Sequence, residues 1–385
     1  MQASSSYDEA LVEGVQRFVE KEILGKAQAL EASDEYPTAI IQGLAEIGLF
    51  GIAVPQAYGG LGLDIPTYAK VMEELGFGWT TLNCFINSQC SAASIFAKHG
   101  TDAQKQLFLP RMATGELRVA IALTEPGGGS DLQAIRTRAT READGSYRLR
   151  GSKIFITNGG RAGAVVVLVR TGEGKEGISL FVIEKGRPGF TVGARARTMG
   201  HRHVDVTELN FDDVSLSEAD LIGGREGQGL AQMLDALETG RIAMAASAVG
   251  LARSALRAAI DYARDRESFG QAIGNHQAVQ MLLSTMAAKT MAARALVNEA
   301  AVIKGRGQRA DMVAGMAKMF AGEVCAEVAL DCVRIHGGSG FVADFPAERY
   351  YREAPYFILT EGTNEIQKMV IARRLLKGDA DAIGL

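Results

Sequence analysis

The sequence predicts an α+β multidomain protein with an α-helical N-terminal domain (residues 1–118), a middle antiparallel β domain (119–228) and a C-terminal four-helix bundle (229–385). Changes in the pattern of apolar residues predict this order. Apolar residues first recur at helical spacing, then short β-rich runs divided by Gly, Asp and Pro take over, and long helical stretches follow Gly229. With 385 residues, 47% of them hydrophobic, the chain can bury the cores of two or three domains.

The N-terminal segment has the pattern of amphipathic helices. In the first helix, apolar residues recur every three or four positions and would form one buried face: Leu11, Val12, Val15, Phe18, Val19 and Ile23. A second stripe runs from Ile40 to Ile47, and further helices are predicted around Tyr68–Leu75 and Leu82–Lys98. Gly115 ends the helical part, because the period of the apolar residues changes after it.

The middle segment consists of short β-rich runs rather than alternating strands and helices. The predicted strands are Val119–Thr124, Tyr147–Thr157, Val165–Arg170, Ile178–Glu184 and Val206–Phe211. Because turns separate such short runs so closely, an antiparallel sandwich or barrel is favoured over a βαβ series.

The C-terminal segment is dominated by long helices that are rich in alanine and methionine. They are predicted over Met233–Arg264, Val279–Lys304 and Met312–Ile335. The first would be about 32 residues and roughly 48 Å long. Small and flexible apolar side chains suit the close packing of helices in a bundle.

Composition excludes several classes of function. The net charge of −4, from 41 basic and 45 acidic residues, provides neither a basic surface for nucleic acid nor a polybasic membrane anchor. No apolar run reaches the ~20 residues of a membrane span, and the acidic N-terminus does not resemble a signal peptide. The four cysteines lack the spacing of a metal site, so we expect reduced thiols, no metal and a cytoplasmic location.

The run Gly172–Gly177 matches the GxGxxG dinucleotide fingerprint and follows a predicted strand. A phosphate-binding turn must open a helix, because the helix N-terminus supplies the amides that bind the phosphate. Here the next residues, Ile178–Ile183, are β-rich. We therefore interpret the glycines as a hairpin loop and do not expect NAD as the cofactor.

Two motifs in the β segment are candidate contacts for a planar ligand. Leu123–Asp131 combines three consecutive glycines with Thr, Ser and Asp side chains, which allows a close approach of the backbone. In Gly151–Gly159, alternation places Phe155 and Thr157 on one face of a strand, where an aromatic ring could stack on a cofactor. The ordinary alternatives are a glycine-rich turn for the first motif and a core Phe with a surface Thr for the second.

Three further motifs lie in the C-terminal segment. Arg264–Gly270 is a basic, aromatic turn in which Arg266 suits a phosphate, although an arginine at a helix end is more often a partner of the helix dipole. Arg334–Phe341 is rich in glycine. In Thr360–Glu365 a helix is predicted to start at Thr363 or Asn364, and Glu365 has the better spacing for a capping residue. Glu361 is then free for another role.

Together, in this order, the five motifs resemble the acyl-CoA dehydrogenase family of the short-, medium- or branched-chain type, over about residues 8–378. The Leu123–Asp131 motif and the run Glu361–Gln367 are highly specific for the family. The resemblance implies the three-domain fold predicted above. It also implies an oxidoreductase that acts on an acyl-CoA thioester and uses FAD.

The resemblance implies a role for each matching position. FAD would be bound by Ala122, Leu123, Thr124, Ser130, Phe155, Ile156, Thr157, Arg266, Phe269, Gln277, Arg334, His336, Gly337, Gly338, Thr363 and Glu365. Substrate would be bound by Ser130, Glu238, Arg241, Asn87, Ser88, Thr360 and Gly362. Arg266, Phe269, Gln277 and the 334–338 stretch would reach the FAD of a neighbouring subunit, which implies a homotetramer built as a dimer of dimers.

Glu361 matches the catalytic base of the short- and medium-chain members. Some relatives instead carry the base just before the arginine that matches Arg241, and that position here is Gly240, which has no side chain to act as a base. The sequence departs from the usual pattern at Phe155, where many relatives have Trp, at Arg334, where Gln is usual, and at Thr360, where straight-chain enzymes commonly have Tyr.

The expected reaction is removal of the α-proton by Glu361 and transfer of the β-hydride to the flavin. The product would be a trans-2-enoyl-CoA, and electrons would leave through an electron-transferring flavoprotein. The acyl group is expected to be branched, cyclic or polar-tipped. The alternatives are a decarboxylating or desulfinating acyl-CoA enzyme of the same fold, or a helical assembly protein that has lost the flavin.

Overall fold

A computed structural model describes residues 7–33 and 35–379. The outer limits of the first and last predicted domains, residues 1 and 385, lie outside the described residues. The N-terminal part is helical, as predicted, with α1 (Glu9–Glu22), α2 (Ala27–Ala32), α3 (Thr38–Glu46), α4 (Ile65–Gly78), α5 (Thr81–His99) and α6 (Asp102–Ala113). Side-chain caps begin three of these helices: Asp8 accepts from Leu11 N, Asp64 from Thr67 N and Thr101 from Gln104 N.

The middle part is a seven-stranded sheet in the order β1-β4-β2-β3-β7-β6, with β5 paired to β4. Its strands are β1 (Val119–Ala122), β2 (Arg138–Arg141), β3 (Tyr147–Thr157), β4 (Ala164–Arg170), β5 (Ile178–Glu184), β6 (Phe190–Arg195) and β7 (Val206–Leu216). The β class is confirmed, and β3 and β5 have the predicted bounds. The charged β2 and the half-exposed β6 were not predicted, since they bury few apolar residues.

One edge of the sheet corrects the expectation of a purely antiparallel domain. β1 pairs in parallel with β4, in the register Val119 with Ala164 and Ala122 with Val167, and β2 meets β4 in parallel at Arg138 and Arg170. The other pairings are antiparallel. The glycine-rich run 172–177 connects β4 to β5, and these two strands pair antiparallel from Arg170 and Ile178 onward. It is therefore a hairpin loop, as interpreted from the sequence.

The C-terminal part is built on three long helices. The elements are α7 (Gly229–Asp265), the short strands β8 (Glu267–Ser268) and β9 (Gln271–Ala272), and then α8 (Gln277–Gly305), α9 (Asp311–His336), α10 (Ala347–Glu353), α11 (Tyr356–Leu359) and α12 (Asn364–Leu376). Long helices α7, α8 and α9 pack together, with α12 against α9, which confirms the predicted bundle. α7 is long and apolar enough to cross a membrane, but 78% of its most apolar window is buried inside the protein, as in a core helix.

α5 and α7 connect the three parts. α7 packs on α4 and α5 along one side and contacts β4 and β5 near its N-terminal end. Asn158, at the end of β3, donates its side-chain amide to Cys84 O of α5 at 3.0 Å. The end of β3 therefore lies against the face of α5 that continues, one turn later, at Asn87.

Candidate active site

Glu361 lies in the turn between α11 and α12. Its φ is +55° and that of Gly362 is +85°, so two consecutive residues have left-handed backbone, which is unusual for a glutamate. Thr363 caps α12, because its side chain accepts from Ile366 N at 3.4 Å. The prediction that Glu365 is the capping residue is therefore wrong. Glu365 is exposed in the first turn of α12, where its charge faces the positive end of the helix dipole.

The carboxylate of Glu361 is buried but has few partners. Asn87 Nδ2 donates to Oε1 at 2.7 Å, whereas Oε2 is buried without a hydrogen-bond partner among residues 7–33 and 35–379. Burial raises the pKa of Glu361, while the bond from Asn87 and the positive charges of Arg241 and Lys318 oppose the rise. A buried carboxylate with one unpartnered oxygen can accept a proton.

Gly240 faces this carboxylate from α7. A Cβ added at Gly240 would lie 2.9 Å from Glu361 Oε2 and 3.0 Å from Cδ. These are the closest atoms that such a Cβ would meet, so the missing side chain leaves the space in which the carboxylate lies. The position that carries the base in some relatives thus lies against Glu361, the predicted base.

Arg241 holds the backbone of the same turn. The side chain is buried, and its Nε donates to Glu361 O at 3.4 Å. Burial lowers the pKa of Arg241, and the carboxylates of Glu361, Glu238 and Asp311 oppose this fall. Glu238, predicted to bind substrate beside Arg241, accepts from Lys304 Nζ at 2.7 Å.

Lys318 is a residue that the motifs did not include. Its side chain on α9 is buried, and its Nζ donates to Ile358 O at 3.0 Å, Gly362 O at 2.9 Å and Asn364 Oδ1 at 3.0 Å. Burial lowers the pKa of Lys318 to about 8, and the charge of Glu361 opposes this fall. In the sequence, Lys318 could have been recognised as a lysine within an otherwise apolar stretch of α9.

A cavity of about 470 Å³ lies between α4, α5, α7 and the end of α8. Its lining includes Tyr68, whose hydroxyl donates to Asn87 Oδ1 at 3.2 Å, and Thr239, which precedes Gly240. Tyr68 links the cavity to Asn87, which hydrogen-bonds the Glu361 carboxylate, whereas Glu361 itself is not part of the lining. Thr360, which precedes Glu361, is half-buried, and its backbone N–H donates to Tyr356 O at 3.0 Å.

A second buried lysine supports the glycine-rich motif of the β domain. Lys153 Nζ donates to Leu123 O and to Glu125 Oε1, both at 2.9 Å. Glu125 also accepts from the backbone N–H groups of Arg136 and Thr137. Burial lowers the pKa of Lys153 to about 8, and the bond to Glu125 opposes this fall. Neither Glu125 nor Lys153 was singled out from the sequence.

The predicted flavin-contacting residues of β1 and β3 lie close to this pair. Ala122 is buried, and Thr124 O accepts from Ile154 N at 2.9 Å, which joins the two motifs. A bulge between Lys153 and Ile156 breaks the strict alternation assumed for β3. Phe155 has a φ of +56° and is 66% exposed, Ile156 is buried and Thr157 is half-buried. An exposed aromatic ring on a strained backbone is an unusual arrangement that suits ligand binding.

A separate group of predicted FAD residues lies at the other end of the bundle. Its members are Arg266, Phe269, Gln277, Arg334, His336, Gly337 and Gly338. Arg266 and His336 line a cavity of about 480 Å³ with Tyr262, whose ring stacks on His336 at 4.3 Å between centroids. Phe269 is 96% exposed. Arg334 is exposed and pairs with Asp331 at 2.6 Å.

Besides Glu238, which pairs with Lys304, two predicted substrate residues have no contact with Glu361. Ser130 is exposed in the loop after Gly129. Ser88 follows Asn87 on α5, and its side chain points about 100° away around the helix. The structure therefore brings together Asn87, Gly240, Arg241, Thr360, Gly362 and Thr363 around Glu361.

The sequence matches three family models in order. They are the acyl-CoA dehydrogenase N-terminal domain at residues 5–116, the middle domain at 120–214 and the C-terminal domain at 227–376. An acyl-CoA dehydrogenase of Bacillus subtilis (strain 168) is 40% identical over 94% of this chain and 96% of its own length.

Solved structures agree with the family models. The butyryl-CoA dehydrogenase of Megasphaera elsdenii has a TM-score of 0.94 at 34% identity, over 98% of this chain and 100% of that chain. A chain in a solved structure of the electron transferring flavoprotein of Acidaminococcus fermentans has a TM-score of 0.92 at 38% identity, over 98% of this chain and 99% of that one. The chain belongs to the acyl-CoA dehydrogenase family and is an oxidoreductase of that family.

Proposed function

We propose that the protein catalyses the FAD-dependent α,β-dehydrogenation of an acyl-CoA thioester to a trans-2-enoyl-CoA, with Glu361 as the base that removes the α-proton. The observation that carries this proposal is the buried Oε2 of Glu361, which has no hydrogen-bond partner among the described residues. A structural carboxylate at this depth would be paired or fully hydrogen-bonded. This oxygen instead has a free lone pair on the side of Gly240.

The surroundings of Glu361 fit general-base catalysis at a carbon acid. Burial raises the pKa of Glu361, which makes the carboxylate a stronger base than one in water. Asn87 and Arg241 hold the carboxylate and the backbone of the residue, so that the proton is taken at Oε2. The Glu361 backbone N–H has no acceptor among the described residues and can donate to the thioester oxygen, where charge develops as the proton leaves.

The residues that would hold FAD fit a planar, phosphate-bearing cofactor. The exposed ring of Phe155 offers a stacking surface on β3, where Ile156 and Thr157 follow it and where the preceding Ile154 N–H donates to Thr124 O of the glycine-rich motif. When bound, FAD supplies the acceptor for the β-hydride. Purified protein should be yellow, with about one FAD per chain, and a colourless folded protein would contradict the assignment.

The second group of residues supports a cofactor site completed by a neighbouring subunit in a homotetramer. Arg266, Phe269 and Gln277 are exposed and lie on a different end of the bundle from Glu361. Arg266→Ala should release FAD before the fold is lost, because a charge-assisted contact with phosphate contributes roughly 1.5–3 kcal/mol. Light scattering that finds a stable, FAD-loaded monomer would contradict this arrangement.

The acyl group is proposed to be branched, cyclic or polar-tipped. The cavity of about 470 Å³, which Tyr68 links to Glu361 through Asn87, includes Tyr68, Ser91 and Thr239 in its lining besides aliphatic residues. Thr360 adds a small side chain next to the base. Thr360→Tyr should shift the preference from branched towards linear thioesters, and an unchanged preference would rule out this role for Thr360.

The experiment that tests the function is a scan of acyl-CoA thioesters for bleaching of the bound flavin without oxygen. Rapid bleaching by one class, with release of the trans-2-enoyl-CoA, is the expected result. Reoxidation by an electron-transferring flavoprotein would support that partner, and the four buried, free cysteines fit a reducing, cytoplasmic location. Bleaching by none of the thioesters would contradict the function.

A further inference from the structure

Lys318 is bound to both sides of the turn that carries Glu361. Its three acceptors are Ile358 O at the end of α11, Gly362 O directly after the base and Asn364 Oδ1 in the first turn of α12. All three acceptors are neutral. The ammonium group therefore holds the chain before and after Glu361 against α9. None of its three acceptors carries a negative charge that would cancel the charge of the ammonium.

The charged and titratable groups around Glu361 come from several elements. Arg241 on α7 and Lys318 on α9 attract the carboxylate, and Asn87 on α5 donates to it. Tyr68 on α4 and Tyr356 on α11 are buried phenols whose pKa values are raised by burial and further by Glu361, so they stay neutral. Glu365 on α12 and Arg241 also act on Lys318, with opposite signs.

We propose that Lys318 is the positioning residue of the base: it clamps the left-handed turn at Glu361 and Gly362 and supplies part of the positive potential that keeps Glu361 ionised. This inference rests on the proposed role of Glu361. Because hydrogen bonds from a buried ammonium to carbonyl groups are directional, the clamp sets where the carboxylate points. Because the ammonium is charged, it also sets the pH above which the carboxylate is free to accept a proton.

The clamp and the charge predict different changes in the pH profile. Without the clamp, the turn relaxes, and a misplacement of about 1 Å commonly lowers the rate ~10²-fold. Without the charge, the pKa of Glu361 rises further, since burial is then opposed only by Asn87 and Arg241. The acid limb of the rate profile therefore moves to higher pH.

Lys318→Met keeps the length of the side chain but removes both the clamp and the charge. The rate of flavin reduction at saturating acyl-CoA should fall about 10²-fold at its pH plateau, with its acid limb at higher pH. The matched control is Lys70→Met, because Lys70 on α4 is also mostly buried and paired with Glu73 but contacts no part of the Glu361 turn. The control should keep the wild-type acid limb even if its thermal stability falls.

Asn364→Asp separates the two effects and covers the case in which Lys318→Met does not fold. It loses the bond from the amide nitrogen of Asn364 to Met319 O, but it keeps the oxygen that accepts from Lys318 and places a carboxylate next to the ammonium, so the contact with Lys318 stays while its charge is neutralised. The acid limb should again move to higher pH, but the plateau rate should stay within about tenfold of wild type.

Wild-type bleaching and its loss in Glu361→Gln test the proposed function on their own, whereas Lys318 is judged only from the shift of the acid limb and the plateau. An acid limb that stays in place in Asn364→Asp and in folded Lys318→Met would overturn the proposal. An equal shift in Lys70→Met would also overturn it, because the shift would then follow from general destabilisation.

Discussion

Two buried lysines support the two halves of the site in different ways. Lys153, under the β-domain motif, binds one backbone carbonyl and the carboxylate of Glu125, so its charge is neutralised within the cluster. Lys318, under the Glu361 turn, binds only neutral acceptors. Burial lowers the pKa of each lysine to about 8, yet of the two only Lys318 directs its positive charge at Glu361, the proposed base.

The difference shows that a buried cation can either fix the backbone around it or supply a positive potential to a neighbouring carboxylate. In the β domain the salt bridge fixes the backbone of residues 123–125 with little net field, which suits a surface for a large bound cofactor. In the helical domain the unneutralised charge opposes the effect of burial on Glu361. The first arrangement is expected to affect mainly stability and cofactor retention, and the second mainly the rate and its pH dependence.

The largest effect is expected from removing the carboxylate that Lys318 acts on. Glu361→Gln keeps the size of the side chain but removes the base, so flavin reduction should slow by at least ~10²–10⁴-fold, while the substrate still perturbs the flavin spectrum. Stopped-flow absorbance measures this rate. The matched control is Glu20→Gln, at an exposed glutamate on α1 outside the proposed site, which should reduce its flavin at nearly the wild-type rate.

Breaking the salt bridge in the β domain should affect stability rather than the pH profile. Lys153→Met leaves Glu125 buried with an uncompensated charge, which commonly lowers the free energy of unfolding by about 3–5 kcal/mol. Adding Glu125→Gln to this variant should restore part of the loss. Chemical denaturation measures both, and a double variant no more stable than the single one would contradict the explanation.

Gly240→Ala should separate stability from activity at the base. The new Cβ would lie 2.9 Å from Glu361 Oε2 and displace the carboxylate, so the rate should fall by up to about 10²-fold. Alanine inside a helix is more favourable than glycine by roughly 0.5–1 kcal/mol, so the unfolding temperature should not fall. Gly14→Ala in α1 is the control, because its Cβ meets nothing closer than 4.0 Å and the rate should stay unchanged. If Gly240→Ala kept the full rate, the fit between glycine and carboxylate would be irrelevant to catalysis.

The smallest effect concerns stability at alkaline pH. Burial lowers the pKa of Lys318 from 10.5 to about 8, so between these pH values the unfolded chain holds a proton that the folded chain has lost. The free energy of unfolding should therefore rise with pH over this range, and Lys318→Met should reduce that slope. Lys21→Met, at a side chain that is 85% exposed, should leave the slope unchanged. Urea unfolding at several pH values would show the difference, and identical slopes in all three proteins would contradict it.

The sequence predicted the elements whose residues repeat with a clear period. The long helices and strand β3 were found because apolar residues recur along them, and β5 was found because it is a short, nearly continuous apolar run bounded by turns. β2 and β6 were missed because they have little apolar alternation. The parallel pairing of β1 with β4 was missed as well, because strand partners distant in sequence are chosen by the packing of the whole sheet.

The sequence by itself determined the order of helical, β and helical parts and singled out Glu361, since these depend on local period and on a continuous motif. Only the tertiary structure decided the surroundings of Glu361. Asn87, expected to contact substrate, hydrogen-bonds Glu361 from 274 residues away, and Lys318 reaches the turn from another helix. The buried pair of Glu125 and Lys153 likewise depends on β1 and β3 lying side by side. Such contacts depend on distance in space, and burial makes them strong, because few water molecules remain to compete for the charges.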